Sequence, residues 1–450
     1  MNIETPIPTI AVGVRKKPFL IATIAAIAIG ALLGAGGNFS VAGAILLCVF
    51  YVFGVWENTR RTHSAFAQFS DGKLVALFGA LHGLMILTAY LAGAPPEAFW
   101  VPDALNQHLP RSENMAAFLR GEGDLRGMHV IWDKFYLAQI VTGIGFAVFG
   151  KSPIVSSLAM VLIKTLASFF VMKSAAFFRP ADGDRRIEVQ ALWLFAFNPM
   201  VIFHTSVFYK EAGVYFVMAL LGYCLLKVLE KRSWSIGLAV SLLLLLNERF
   251  YFGVFYAGGI TLAVLTTQAN GLSKKLKFTL AGFGVAVGLM FVYFYSGHIS
   301  VFKIWDFIQA QRVAYLSYSD VSEINRTLVY PAAVVKLFFS PYFTFGKVAD
   351  YNFFAQLIPW GAVVHQSLLL FGLIGLVRAV FQRNVECPVV LSRATAFVLV
   401  VFLLMFGYVA PYAGRLRDTI LPILLLYSCV EIARFFDRVA ARNKISTAAA

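Results

Sequence analysis

Apolar residues run along this chain in long blocks separated by short polar breaks, and that pattern predicts helices throughout. About twenty consecutive apolar residues are needed to cross a bilayer core. Stretches near that length fall at 19–37, 40–56, 74–93, 154–178, 188–206, 212–229, 234–248, 250–267, 277–297, 353–381, 394–411 and 419–436. One further apolar stretch, Tyr136 to Gly150, has 15 residues. It is short for a span and suits a helix lying at the interface or re-entering it. The fold class this predicts is an all-α polytopic membrane protein with about twelve spans, forming one transmembrane domain over 1–450.

Charge placement turns this pattern into a topology. Lys and Arg concentrate in short cytoplasmic loops, and loops of this kind set orientation. If Tyr136–Gly150 does not cross, twenty basic residues fall on one side: Arg15, Lys16, Lys17; Arg60, Arg61, Lys73; Arg179, Arg185, Arg186; Lys231, Arg232; Lys274, Lys275, Lys277; Arg383, Arg393; Arg434, Arg438, Arg442 and Lys444. If it does cross, Arg179, Arg185 and Arg186 move outside. The first arrangement is therefore expected, with both termini cytoplasmic and two long outer loops, about 94–153 and 298–352. Loops of such length are often functional.

The composition agrees with this reading. The 450 residues are 59% hydrophobic and 14% charged, against about 25% charged in soluble domains. The net charge of +15 reports orientation rather than a nucleic-acid partner, because it is spread over loops and forms no basic face. Cys48, Cys224 and Cys429 lie within apolar stretches and Cys387 in a short loop, so no disulfide framework is implied. Arg15-Lys16-Lys17 before the first apolar block imitates a secretory signal, but with eleven further spans behind it the segment reads as a retained helix. Ser446 to Ala450 reads as a frayed tail.

Most of the candidate chemistry falls on the outer face. The run Trp100-Val-Pro-Asp103-Ala-Leu-Asn-Gln-His108-Leu-Pro110-Arg111 puts a carboxylate and an imidazole near the membrane surface. A carboxylate there suits proton abstraction or a divalent cation, and a solvated turn at Pro102 explains it equally well. Lys210-Glu211 stands at a span start, where Lys can snorkel or meet a lipid phosphate and Glu favours a helix N-terminus. Asn247-Glu248-Arg249 sits between two apolar blocks with almost no loop, so its charges must be paired or face a polar cavity. Arg415 and Arg417, beside Asp418, stand in an outer turn against the basic-inside trend, and arginine suits bidentate phosphate recognition. Lys164 and His365 fall inside spans; Lys164 suggests a cavity-lining span, and His365 a satisfied core histidine. Glu113, Asp124, Arg126, Asp133 and Arg326 read as surface charges. No Walker A loop, G-x-S-x-G elbow, HExxH or paired CxxC is present, so ATP hydrolysis, serine hydrolysis and zinc proteolysis find no support.

Several of these runs resemble one family. Pro102-Asp103 to His108-Leu-Pro110-Arg111 is similar to the first extracytoplasmic loop of GT-C-type membrane glycosyltransferases, in particular bacterial members related to family 39. His129 to Gly150, ending in Phe-Gly, resembles that family's juxtamembrane helix. Phe197-Asn-Pro199 to Glu211 resembles its second outer loop, and Gly414-Arg415-Leu-Arg417 with Leu421-Pro422 its late arginine-then-proline pattern. The likeness is closest over 74–230. The chain departs from the pattern in placing the Asp loop after the third span rather than the first, and in carrying Gln107 where an aromatic often precedes the His.

The resemblance implies transfer of a sugar from a polyprenyl-phosphate donor to a glycan or glycolipid acceptor, with inversion, on the outer face of the cytoplasmic (inner) membrane. Asp103, His108 and Glu211 would then be the catalytic candidates, with Asp103 as general base. Lys210, Glu248, Arg249, Arg415 and Arg417 would be substrate-binding, and a divalent cation (Mg or Mn) is a possible cofactor. A polymerase or ligase of lipid-linked oligosaccharides, or a transporter of them, remains an alternative from the residues alone.

Overall fold

The computed structural model describes residues 17–60, 66, 69–100, 104–123, 136–178, 185–267, 278–279, 281–282, 284–286, 353–381, 388–409 and 418–449. Among the described residues there is no strand. The longer helices are α1 (Lys17–Ala35), α2 (Gly37–Arg60), α3 (Asp71–Leu91), α4 (Leu109–Leu119), α5 (Leu137–Phe149), α6 (Pro153–Ala175), α7 (Arg186–Ala196), α8 (Pro199–Ser206), α9 (Glu211–Glu230), α10 (Ser235–Glu248), α11 (Phe250–Thr266), α12 (Leu357–Phe381), α13 (Val389–Val409) and α14 (Leu421–Ala449). Eleven of the twelve predicted spans coincide with these helices, α7 and α8 together making one; the other, 277–297, lies largely outside the described residues.

Seven of the helices are long and apolar enough to cross a membrane, or eight if the α7–α8 pair counts as one bent span. Helices α10 and α11, and the apolar part of α1 (Phe19–Ala35), are shorter. Apolar side chains face outward along α1 and α2, among them Leu20, Ile24, Val49 and Phe53. In water such a surface would be costly, and in lipid it needs no cover. The chain is an all-α polytopic membrane protein.

Helix α6 sits at the centre, packed on α9, α3, α7 and α5, while α12 pairs with α14 and α11 with α13. Close approach depends on small residues, as is usual where lipid removes the hydrophobic drive between helices. Gly30 and Gly34 on α1 lie against the α3 backbone at Met85 and Ala89, with no room for a Cβ at either. Gly54 on α2 likewise accepts the Trp193 indole. That indole donates to the Tyr51 carbonyl at 3.0 Å, and Tyr51 Oη donates to Leu194 O at 2.9 Å, a reciprocal tie between α2 and α7.

The direction of α3 and α6 decides how the first long loop is used. Asp71 at the start of α3 pairs with Lys173 near the end of α6. At the other end Trp100 Nε1 donates to Ser156 Oγ at 3.1 Å, just inside the start of α6. The chain therefore leaves α3 and re-enters through α6 at the same end of the bundle. Between them the described part of the predicted loop is largely helical: a π-helical turn over Ala104–His108 leads into α4, and α5 packs against α4. At 13 residues α5 is about 20 Å long, too short for a hydrocarbon core of about 30 Å. The opposite end carries its own polar network. Arg185 reaches both Asp71 and Glu188, Arg186 reaches Asp437, and Glu431 takes Arg378 and Arg434.

The bend between α7 and α8 is 50° and has a local cause. Pro199 has no N–H to give to the carbonyl four residues back. Met200 N–H, the natural donor to Ala196 O, bonds instead to Asn198 Oδ1 at 3.0 Å, capping α8. Ala196 O is left for another donor, and Lys164 Nζ supplies it at 2.7 Å from α6. The same ammonium lies 3.0 Å from His82 Nδ1, and His82 Nε2 lies 2.9 Å from Ser206 Oγ. Lys164 is fully buried. It therefore does not line a cavity, as its sequence position suggested, but caps a broken helix.

The tail expected to fray is instead helical, with α14 running to Ala449. Its Ala, Lys and Arg residues are strong helix formers.

Candidate functional site

At the end where α4 and α5 lie, the sequence of each element brings a polar side chain to one place. Lys210 is the N-cap and Glu211 the first residue of α9, where a carboxylate complements the helix dipole. Glu248 ends α10 and Arg249 alone separates it from α11, with an extended backbone (φ −146°, ψ 81°). Tyr136 is the N-cap of α5 and His108 precedes α4. No two of these helices are linked by a pattern in the sequence.

The geometry pairs charges between elements. Arg249 Nη2 donates to Glu211 Oε1 at 2.7 Å, with the side chains 12% and 3% exposed. Glu248 Oε1 accepts the backbone N–H of Leu137 at 2.6 Å, so a carboxylate from α10 caps α5. Lys210 Nζ lies 4.6 Å over the Tyr136 ring and 3.4 Å from its hydroxyl. Lys210 and Arg249 also act electrostatically on Glu248, and Arg111 and Arg249 on Tyr136. Burial raises the Tyr136 hydroxyl above its ordinary value, more than the nearby arginines lower it, so it stays a neutral phenol at physiological pH.

His108 is buried beside this group. Its ring meets Tyr136 edge-on at 5.7 Å and Phe208 at 5.9 Å. Gln139 Oε1 accepts the Tyr136 N–H at 3.1 Å, which orients the amide so that Nε2 donates to His108 Nδ1 at 2.8 Å. Nδ1 is thus the acceptor, and the neutral ring carries its proton on Nε2. Ser112 Oγ donates to Gln139 O at 3.1 Å, closing α4 onto α5.

The structure therefore brings together His108, Lys210, Glu211, Glu248 and Arg249. Asp103, Arg415 and Arg417 lie outside the described residues. Tyr136 and Gln139, which link the charged cluster to His108, are not among the candidates read from the sequence. Gln139 stands on the apolar stretch that charge counting had already placed at the surface, and a lone amide on such a helix is the hint that was present. Glu248 and Arg249 are paired, as expected, but with α5 and α9 and not with each other. His365, on α12, is bonded through one ring nitrogen: its Nε2 lies 3.0 Å from Asp418 Oδ1, both side chains buried. Glu113 is a surface charge, paired with Lys151 at 2.5 Å; Asp124, Arg126, Asp133 and Arg326 lie outside the described residues.

A divalent cation fits the described part of this site poorly. Among the described residues no three His, Cys, Asp or Glu side chains converge. Hard cations need several oxygen ligands, and here one carboxylate is committed to Arg249 and the other to the α5 backbone. Compared with known proteins, the chain matches no family model, no curated protein and no solved structure.

Proposed function

We propose that this protein is a membrane glycosyltransferase that moves a sugar from a polyprenyl-phosphate-linked donor to a glycan or glycolipid acceptor, in assembly of a cell-envelope polysaccharide or glycolipid. The observation that carries the reading is the ordered charge cluster at one end of the bundle, its two carboxylates buried and its three cations half-buried. Three cations (Arg111, Lys210, Arg249) and two carboxylates (Glu211, Glu248) are held around Tyr136 beneath two short helices. Fixed cations at a membrane rim suit a lipid-linked phosphate, and preorganisation is how a site stabilises a charge that grows during reaction.

In this reading the membrane is a cytoplasmic (inner) one. Both termini face the cytoplasm, twelve helices cross, and the α4–α5 end faces outside. The acceptor hydroxyl attacks the anomeric carbon and gives its proton to Asp103. The bond from that carbon to the phosphate oxygen breaks, and the electron pair leaves with polyprenyl phosphate, giving inversion. Arg415, Arg417 and Lys210 hold that phosphate. Glu211 orients Arg249, and the His108 Nε2–H is a donor toward the acceptor. A polymerase or ligase joining lipid-linked oligosaccharides shares this chemistry and differs in the size of the transferred group. For a transporter, Lys164 and His365 would line a path, yet both are buried and bonded within the bundle.

Asp103→Asn tests the base assignment: transfer should vanish with expression and folding intact, and full retained activity overturns it. Arg415→Ala and Arg417→Ala should raise the donor KM. An unchanged donor KM in both variants removes the phosphate role.

A further inference from the structure

Helix α5 caps itself only in part: Gln139 Oε1 accepts the Tyr136 N–H at 3.1 Å, and the Leu137 N–H of its first turn is left to another element. Its first turn holds no acidic residue, although a helix N-terminus exposes orphan N–H groups and partial positive charge. The carboxylate that answers them comes from 111 residues away, as Glu248 Oε1 accepts the Leu137 N–H at 2.6 Å. Glu248 is 4% exposed. Gly213, in the first turn of α9, makes room for it: a Cβ there would meet Glu248 Oε2 at 3.0 Å. Around it stand Lys210 and Glu211 of α9, Arg249, and Tyr136 at the head of α5.

What α5 carries explains why its anchoring matters. The residue before Leu137 is Tyr136, whose ring lies under Lys210. Two residues after Leu137, Gln139 fixes the His108 ring through Nδ1. A slip of α5 by a fraction of a turn would move both contacts, and hydrogen bonds weaken steeply with distance and angle.

We propose that Glu248 is a positioning residue, whose carboxylate seats the N-terminus of α5 and so sets Tyr136 against Lys210 and Gln139 against His108. This rests on the proposed transfer reaction only for its consequence in turnover; the seating itself is a structural statement. Glu248 touches no reacting group in it. It acts as an acceptor for one backbone N–H, so a neutral acceptor of the same shape should replace it in part.

Two variants remove the contact from opposite sides. Glu248→Ala deletes the acceptor. Leu137→Pro deletes the donor, and proline is favoured at the first helical position. The preceding residue must then be extended, and Tyr136 already is (φ −78°, ψ 148°). The purified full chain in nanodiscs should be compared by amide hydrogen exchange across 137–142 and by transfer kinetics, in wild type, Glu248→Gln, Glu248→Ala and Leu137→Pro.

Glu248→Ala and Leu137→Pro should each speed exchange in the first turns of α5 by about tenfold or more, while α9 and α10 stay protected. Glu248→Gln should lie between them and wild type. Turnover should fall in the same order, with kcat lowered and the donor KM raised to the extent that Lys210, which holds the phosphate with Arg415 and Arg417, is displaced. The proposal is overturned if α5 exchange is unchanged in Glu248→Ala, or if Glu248→Gln is as inactive as Glu248→Ala while its α5 stays protected, which would make the charge itself the catalytic element. If α5 loosens as described but the wild-type protein transfers no sugar, the seating stands and the transferase reading fails.

Discussion

The Arg249–Glu211 pair is the part of the cluster whose energetics follow most directly from its geometry. Two unit charges about 4 Å apart interact by about 4 kcal/mol at an effective dielectric of about 20. Here the donor–acceptor distance is 2.7 Å, with Glu211 3% and Arg249 12% exposed. Removing one partner of such a buried pair costs about 3–5 kcal/mol, because the other charge is left in low dielectric. Arg249→Ala should fall in that range. Glu211→Ala should cost less, because Arg249 is the more exposed partner and can reach water. Glu211→Ala combined with Arg249→Ala removes both charges and should cost less than the sum of the single changes, with a coupling of about 2 kcal/mol. Equilibrium unfolding of the purified protein in mixed micelles, followed by helical circular dichroism, measures each value. Additive costs within about 0.5 kcal/mol, the usual outcome for independent sites, would refute the pairing.

Other consequences can be checked in the same assay. Lys164→Met leaves Ala196 O and His82 Nδ1 without their donor; each orphaned group costs about 1–3 kcal/mol, partly offset by removing a buried charge, so net destabilisation is expected and stabilisation would contradict the capping role. Asn198→Ala should cost about 0.5–2 kcal/mol by uncapping α8, and an unchanged unfolding midpoint would contradict that. Gly54→Ala forces a methyl into the Trp193 indole and should cost about 1–3 kcal/mol by overpacking, visible also as altered Trp fluorescence. For topology, Asp184→Cys in intact cells should resist membrane-impermeant thiol reagents; ready labelling would put Arg185 and Arg186 outside.

The helices were legible in the sequence because a lipid solvent writes a coarse rule: every crossing needs a long apolar block with its backbone satisfied internally. The rule located α1, α3, α6, α9 and α12 to within a few residues at each end, whereas α13 begins five residues before the predicted span and α14 runs thirteen beyond it. Charge placement gave the expectation that Tyr136–Gly150 does not cross, and the observed α3–α6 geometry, which returns the chain to the same end, is compatible with it. The α7–α8 break was half visible. Asn198-Pro199 announced an interruption, but the donor that makes it affordable, Lys164, lies 32 residues upstream on another helix.

The site was legible as residue types and not as contacts. Glu248 and Arg249 declared that they needed partners, since two charges between apolar blocks are costly alone. Their partners are Leu137 and Glu211, chosen by how α5 and α9 pack, which no local period encodes. Gln139 and Tyr136 were missed for the same reason, as they matter only once α5 is seated against α10. Lys164 misled because an ammonium inside a span usually marks a cavity, whereas here a broken helix supplies the acceptor.

The central claim is tested most directly by giving the purified protein, in nanodiscs, a panel of polyprenyl-phosphate-linked sugars with glycan and glycolipid acceptors, and following both by mass spectrometry. Consumption of one donor, with release of polyprenyl phosphate and gain of that sugar on an acceptor, is the predicted result. Every donor remaining intact, while proteoliposomes carry lipid-linked oligosaccharide across the bilayer unchanged, would contradict it.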